Sequence, residues 1–500
     1  MSETAIETRS PSLITKLTYG FGSVAYGVGG AALGGATVTY YLNQVIGLPV
    51  ALVGAVIAAS IVVDAFIDPI IGQFSDSLRT PWGRRHPLMY ASALPTALAF
   101  YFLWNPPRGL SDSALLIFMM VLLLVVRICV SLYEIPSTAL APELAPGYDD
   151  RTSLLSFRYF FGTMGAIVMG ALLNLVFIPR NAANPLGALN REGYERFGTT
   201  AAIVMIVAIL ISSISTHREI PNLRQPPQRT VTLVQMFREL LAIFSNPSLL
   251  ALIASGLISG LGSGMTSALS FYFNFHIWGL TPQATVFFAL GLVPAVILGT
   301  ILAPMAAKRF GKKRAMIGLF TLSLLTGLVP LTLRMLDLMP ANGTPFLLPI
   351  LIVDQFLSGM LGLSGYIIVS SMIADVVEDN AVRTGVRSEG LLFAANGLLP
   401  KLTGALGGFF GTLILHFVRF PNHAVPGTVD PDILRSMVLI FIPISAIFNG
   451  VAIAALSFYR IDKASHERNQ SLLREAEAGA AALEKGREIG APAPATPGQS

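Results

Sequence analysis

Apolar runs long enough to cross a bilayer recur along nearly the whole chain and leave little room for any other kind of fold. A membrane-crossing helix needs about 20 such residues. The sequence supplies them near 16–44, 49–76, 87–105, 113–142, 152–178 and 198–216. A second set follows near 248–275, 283–306, 314–336, 347–376, 388–418 and 436–459. The expected fold class is all-α and integral to the membrane, with twelve transmembrane helices. Composition agrees, since 53% of the 500 residues are hydrophobic and only 12% are charged, outside the range of ordinary soluble domains.

The net charge of +5 reflects topology rather than affinity for nucleic acid. Basic residues crowd into alternate loops, with Arg79, Arg84 and Arg85 in one and Lys308, Arg309, Lys312, Lys313 and Arg314 in another. The 45–50 and 277–282 turns carry none, while the 179–197 loop, with Arg180, Arg191 and Arg196, is an exception. The positive-inside rule then predicts cytoplasmic termini, and the expected location is a bacterial inner membrane. Cys129, the single cysteine, excludes an intrachain disulfide. Residues 1–13 lack the pattern of a removable signal peptide.

The two halves repeat each other. YYLNQVIGLP at 40–49 matches FYFNFHIWGLTP at 271–282, TPWGRRHP at 80–87 matches KRFGKKRA at 308–315, and Glu143 with Arg151-Thr152 matches Asp375 with Arg383-Thr384. One offset of about 230 residues relates all three, as expected of parallel transporter halves. The predicted organisation is a cytoplasmic N-terminus (1–15), a six-helix bundle (16–216) and a cytoplasmic linker with an amphipathic helix (217–247). A second, pseudo-symmetric six-helix bundle (248–460) and a partly disordered cytoplasmic tail (461–500) complete it. Glycines spaced by four, Gly30/Gly34, Gly256/Gly260/Gly264 and Gly404/Gly408, suit close helix packing.

Asp64 and Asp68 stand four residues apart in the second apolar run, hence on one helix face. Two carboxylates in contact within a membrane must share a proton or hold a cation, so they are the expected coupling site. Arg127, Ser131 and Glu134 share a face of the fourth run, with Arg158 in the fifth and Lys401 in the eleventh as basic partners. Asp354 in the tenth run is a candidate charge partner of Arg127. Gly72, Asp76, Gly83, Arg84 and Arg85 are expected to latch one bundle against another. Tyr40, Tyr41, Trp104, Tyr272 and Trp278 near run ends suggest interfacial anchors, whereas Tyr19 and Tyr26 suit a cavity wall.

KLTYGFG at 16–22, VDAFIDPIIGQFSD at 63–76, WGRRHP at 82–87, YEIPSTALAPELAPGYDDRT at 133–152, FRYF at 157–160 and GVRSEG at 385–390 carry a family resemblance. From about residue 16 to 460 the chain resembles the glycoside–pentoside–hexuronide:cation symporter family, the melibiose-permease-like branch of the major facilitator superfamily. The resemblance implies a V-shaped twelve-helix carrier working by alternating access. It matches Asp64, Asp68 and Ser131 to the cation site, Glu134 to the acid that binds sugar hydroxyls, and Arg158 and Lys401 to the basic residues of the central cavity. Tyr26 and Thr138 are further candidates for contact with solute.

Three departures shape the expectation. Gly27 replaces an acidic sugar ligand, Thr138 an aromatic, and Ile67 an amide that helps to ligate sodium. A hard cation wants several oxygens, whereas a proton needs one carboxylate, so H⁺ coupling is favoured over Na⁺ at Asp64/Asp68. The expected activity is symport of a small polar solute, a glycoside, sugar or sugar acid, by a monomer without cofactor, its other partner being membrane lipid. The nearest rival is a carrier of amphiphilic solutes such as lysolipids. A membrane glycosyltransferase using Asp149-Asp150 is disfavoured by the lack of a clustered His/Asp ligand set.

Overall fold

The computed structural model describes residues 10–145, 148–182, 185, 187–222, 247–384 and 389–459, and all its regular elements are helices. The amphipathic helix expected in the linker and the 461–500 tail lie outside the described residues, as do most of GVRSEG and the first nine residues.

Twelve helical passes run in order. The first is broken into Leu13–Phe21, Ser23–Leu33, Gly35–Tyr40 and a π-helical turn, Tyr41–Val45. Passes two to six are Val50–Ser77, His86–Trp104, Asp112–Leu144, Tyr148–Leu172 and Arg191–His217. Passes seven to twelve are Pro247–Tyr272, Pro282–Phe310, Lys312–Met335, Leu347–Thr384, Glu389–Phe417 and Pro431–Leu456. Among the described residues ten helices are long and apolar enough to cross a membrane, those of passes two to ten and twelve. The first pass is not among them because Gly34, with extended ψ of 141°, ends one helix and starts the next.

The internal repeat is visible in backbone detail. Tyr41–Val45 and Phe273–Ile277 are both π-helical turns, each followed at the same offset by a left-handed glycine, Gly47 (φ 94°) and Gly279 (φ 60°). The two basic loops likewise turn on Gly83 (φ 73°) and Gly311 (φ 78°), a region that costs a residue with a Cβ about 1–2 kcal/mol.

The halves meet where small residues let backbones approach. Pass two packs on pass eleven, with Gly54 against the Thr412 side chain. Within the second half, passes seven and eleven interlock at glycine: a Cβ on Gly264 would lie 2.2 Å from the Gly404 carbonyl oxygen, and one on Gly407 2.1 Å from that of Leu261. Other glycines, Gly30, Gly256 and Gly404, have nothing within 4 Å of an added Cβ and face open space instead.

At the end away from the basic loops a polar network ties the halves together. Asn43 Nδ2 donates to Asn422 Oδ1 at 2.8 Å, and Tyr272 Oη donates to Asn43 Oδ1 at 2.8 Å. Gln44 Nε2 donates to the Pro421 carbonyl at 3.1 Å and Gln44 Oε1 accepts from Ala424 N at 2.8 Å. The aromatic residues expected as interfacial anchors are in this region or beside it and are buried: Tyr40, Tyr41, Trp104 and Tyr272 are fully enclosed, and Trp278 nearly so. Tyr41, in the first π turn, donates its Oη to the Trp104 carbonyl, and Tyr40 packs edge-on to Tyr272. They are packing residues, not belt residues.

Candidate transport site

A cavity of about 900 Å³ lies between the halves. Its wall begins just inside the sealed end, at Thr39, Ser267 and Thr412, and runs to Leu252 and Ile373 near the basic loops. Asp64, Arg127 and Lys401 are the charged residues on that wall.

Asp64 is brought to the cavity by pass two and buried by pass four. Its Oδ1 accepts from Ser131 Oγ at 3.2 Å, and its Oδ2 accepts from Lys401 Nζ at 3.2 Å. The same ammonium donates to Asp68 Oδ2 at 2.5 Å. Lys401, from pass eleven, therefore bridges both acids across the boundary between halves. Asp68 Oδ1 is buried without a hydrogen-bond partner. Pro69 follows directly inside the helix and has no N–H, so the Ala65 carbonyl loses its helical donor at the level of the acids.

A second charged cluster lies on passes four and five. Arg158 pairs with Glu134 at 2.5 Å and donates to Ser137 Oγ at 2.5 Å and Thr138 Oγ1 at 2.9 Å. Thr138 Oγ1 in turn donates to Glu134 Oε1 at 3.2 Å. The Arg158 guanidinium sits 5.2 Å from the centroid of the Tyr19 ring, whose hydroxyl donates to the Ser137 carbonyl at 2.7 Å. Tyr19 is thus a buried support rather than a cavity residue; Tyr26, 51% exposed, lines the cavity. Glu134 Oε2 is buried without a partner, and neither Glu134 nor Arg158 is on the wall of the large cavity.

The charges at the basic end are joined within one half. Glu143 Oε1 accepts from Arg84 at 2.7 Å and Arg85 at 3.2 Å, Arg85 pairs with Asp76 at 2.5 Å and donates to Ser75 Oγ at 3.0 Å. Gly72 faces Ile135 of pass four, with room for ordinary contact. This corrects the expectation of a latch between bundles: Asp76, Arg84 and Arg85 clamp pass two and its loop to Glu143 of pass four, while Gly72 only rests on Ile135 and Gly83 turns the loop against Ile220. Lys312 and Asp375, at 2.7 Å, make the equivalent clamp in the second half.

A further expectation changes. Asp354 does not meet Arg127, because pass ten packs on passes eight and nine, away from pass four. Arg127 Nε donates instead to Ser60 Oγ at 3.1 Å, a residue with no charge or spacing signal in the sequence. Gly27, where the family's acidic sugar ligand is replaced, is a contact between passes one and five, since a Cβ there would lie 1.9 Å from the Gly162 carbonyl oxygen. Asp150 pairs with Lys16 at 3.0 Å, while the Asp149 side chain lies outside the described residues. Among the described residues no group of His, Cys, Asp and Glu could hold a metal ion.

A family model described as MFS/sugar transport protein matches residues 18–463. The chain belongs to this family. Relatives include an uncharacterized symporter of Synechocystis, 27% identical over 90% of this chain and 95% of its own. The isoprimeverose transporter of Lactiplantibacillus pentosus is 24% identical over 85% and 84%. Among solved structures, a mutant of the nucleoside transporter NupG superposes with a TM-score of 0.62 at 14% identity, covering 88% of this chain and 99% of that one. The xylose transporter XylE from Escherichia coli gives 0.53 at 14%, over 88% and 98%. The family establishes an integral-membrane transporter of small molecules with the all-α major facilitator fold, not an enzyme.

Proposed function

We propose that this protein is an H⁺-coupled symporter of a glycoside, sugar or sugar acid, working by alternating access in a bacterial inner membrane with both termini cytoplasmic. The observation that carries the reading is the bridge of Lys401 to Asp64 and Asp68. Its ammonium stands where a coupling cation would stand, so a metal ion would have to displace it, whereas a proton on Asp68 weakens the bridge from within. Ile67, an apolar residue beside the pair, adds no oxygen for a hard cation. The carbohydrate reading is supported by the printed activity of a relative, an isoprimeverose transporter.

Protonating the pair removes negative charge facing Lys401 and frees it, so a charged contact between the halves is lost and they can rock. Loading of H⁺ and of solute are then linked through one equilibrium between two states. Reconstituted vesicles test this directly. Asp68→Asn should abolish accumulation of isoprimeverose, or of whichever sugar the wild type takes up, against its gradient while leaving exchange measurable. Full gradient-driven accumulation by that variant would defeat the assignment, and dependence on Na⁺ rather than pH would replace the ion.

A further inference from the structure

The coupling scheme leaves one charged group of the cavity without work. Arg127 stands on pass four one helical turn before Ser131, on the cavity wall. Its Nε is held by Ser60 Oγ at 3.1 Å, and the Ser60 hydroxyl donates to the Ile57 carbonyl at 2.7 Å, which aims an oxygen lone pair at the guanidinium. Among the described residues Arg127 has no ion pair, and its two terminal nitrogens make no hydrogen bond and are not sealed off, so they open on the cavity. The neighbouring carboxylate, Asp64, is occupied on both oxygens by Ser131 and Lys401.

Asp64 and Asp68 lie near enough to offset part of the Arg127 charge but bond to Lys401, so the terminal nitrogens of the guanidinium stay unbonded at membrane depth, a costly placement. Its planar fork matches a carboxylate with two parallel hydrogen bonds, which a hydroxyl cannot supply. We propose that Arg127, oriented by Ser60, is the oxyanion-binding group of the cavity and that the transported solute carries a carboxylate. The opposite wall offers Ser263, Ser267, Thr412 and Tyr366 to the hydroxyls of such a sugar acid. The inference rests on the carrier reading above and narrows its solute. In it Ser60 is a positioning residue, and Arg127 the one that touches solute.

The test compares D-glucuronate with D-glucuronamide, its neutral counterpart, by titration calorimetry on the purified full-length protein. Wild type should bind the acid at least about tenfold tighter than the amide. Arg127→Gln should bring that ratio to about one, Arg127→Lys should keep part of it, and Ser60→Ala should reduce it severalfold with the guanidinium still present. Melting curves report whether each variant folds; if Arg127→Gln does not, the Lys and Ser60→Ala ratios decide. An unchanged ratio in the variants, or a wild type that prefers the amide or binds neither, overturns the proposal. Proton-driven uptake of neutral sugars without glucuronate binding sinks this inference and leaves the carrier standing. Loss of all gradient coupling with the acid preference intact does the reverse.

Discussion

The two ends of the molecule hold themselves together by different means. At the sealed end, uncharged side chains reach across the boundary: Asn43 and Gln44 of the first half bind Asn422, Pro421, Ala424 and Tyr272 of the second. At the basic end the charges are used inside each half, Arg84 and Arg85 on Glu143 and Lys312 on Asp375. Neutral hydrogen bonds are individually modest, about 0.5–1.5 kcal/mol net. A gate built from them can open at each turnover. Clamps that must survive every turnover are better made of charge-assisted bonds, which are roughly twice as strong. Between the ends, Lys401 makes a charged contact across the boundary, to Asp64 and Asp68 on the other half.

That contrast can be broken from either side, and Lys401 should give the largest effect. Lys401→Gln leaves two carboxylates facing each other with no ammonium, and uphill transport should fall by about 100-fold or more in vesicles. Adding Asp68→Asn to it should restore folding stability, read as the melting temperature, without restoring accumulation. Next comes the sealed end. Asn43→Ala strands Tyr272 and Asn422, an expected cost of about 1–3 kcal/mol to the sealed state, or a shift of roughly 5- to 150-fold towards opening there. Thiol labelling of Ser267→Cys from the sealed side would measure it, and Cys129, the only native cysteine, is buried and gives little background.

Smaller effects are expected at the basic end. Glu143→Gln should lower the melting temperature of the protein through about 1–3 kcal/mol of lost clamp. It should leave the labelling of Ser267→Cys unchanged, since the clamp does not cross between halves. Gly83→Ala should cost least, about 1–2 kcal/mol from its left-handed backbone, again without moving the gate. A change in labelling from either variant would mean that the basic end holds the halves together after all.

Much of this fold is legible in the chain, because apolar length and a long internal repeat are linear properties. The echo between 40–49 and 271–282 survives as matched π turns and left-handed glycines. Asp64 and Asp68 are legible for a similar reason: spacing on a helix fixes which side chains share a face. Contacts between distant passes are not. Lys401 lies 337 residues from Asp64, and no spacing announces their bond. Ser60 carries no charge and sits in a run of apolar residues, so its hold on Arg127 left no trace in the sequence. The span-end aromatics show the opposite failure, where a residue type that suits an interface is buried instead. Which neighbours they meet depends on how separate passes pack, which does not follow from hydropathy.

The claim on which the account turns is that the Asp64/Asp68 pair carries the coupling proton. Infrared difference spectra of the purified protein, recorded between mildly alkaline and acidic buffer, test it without need of a known solute. A protonated-carboxyl band that appears on acidification and is lost in Asp68→Asn is the predicted result. A band indifferent to that substitution, or a carboxylate response to Na⁺ at fixed pH that vanishes with it, would contradict the account.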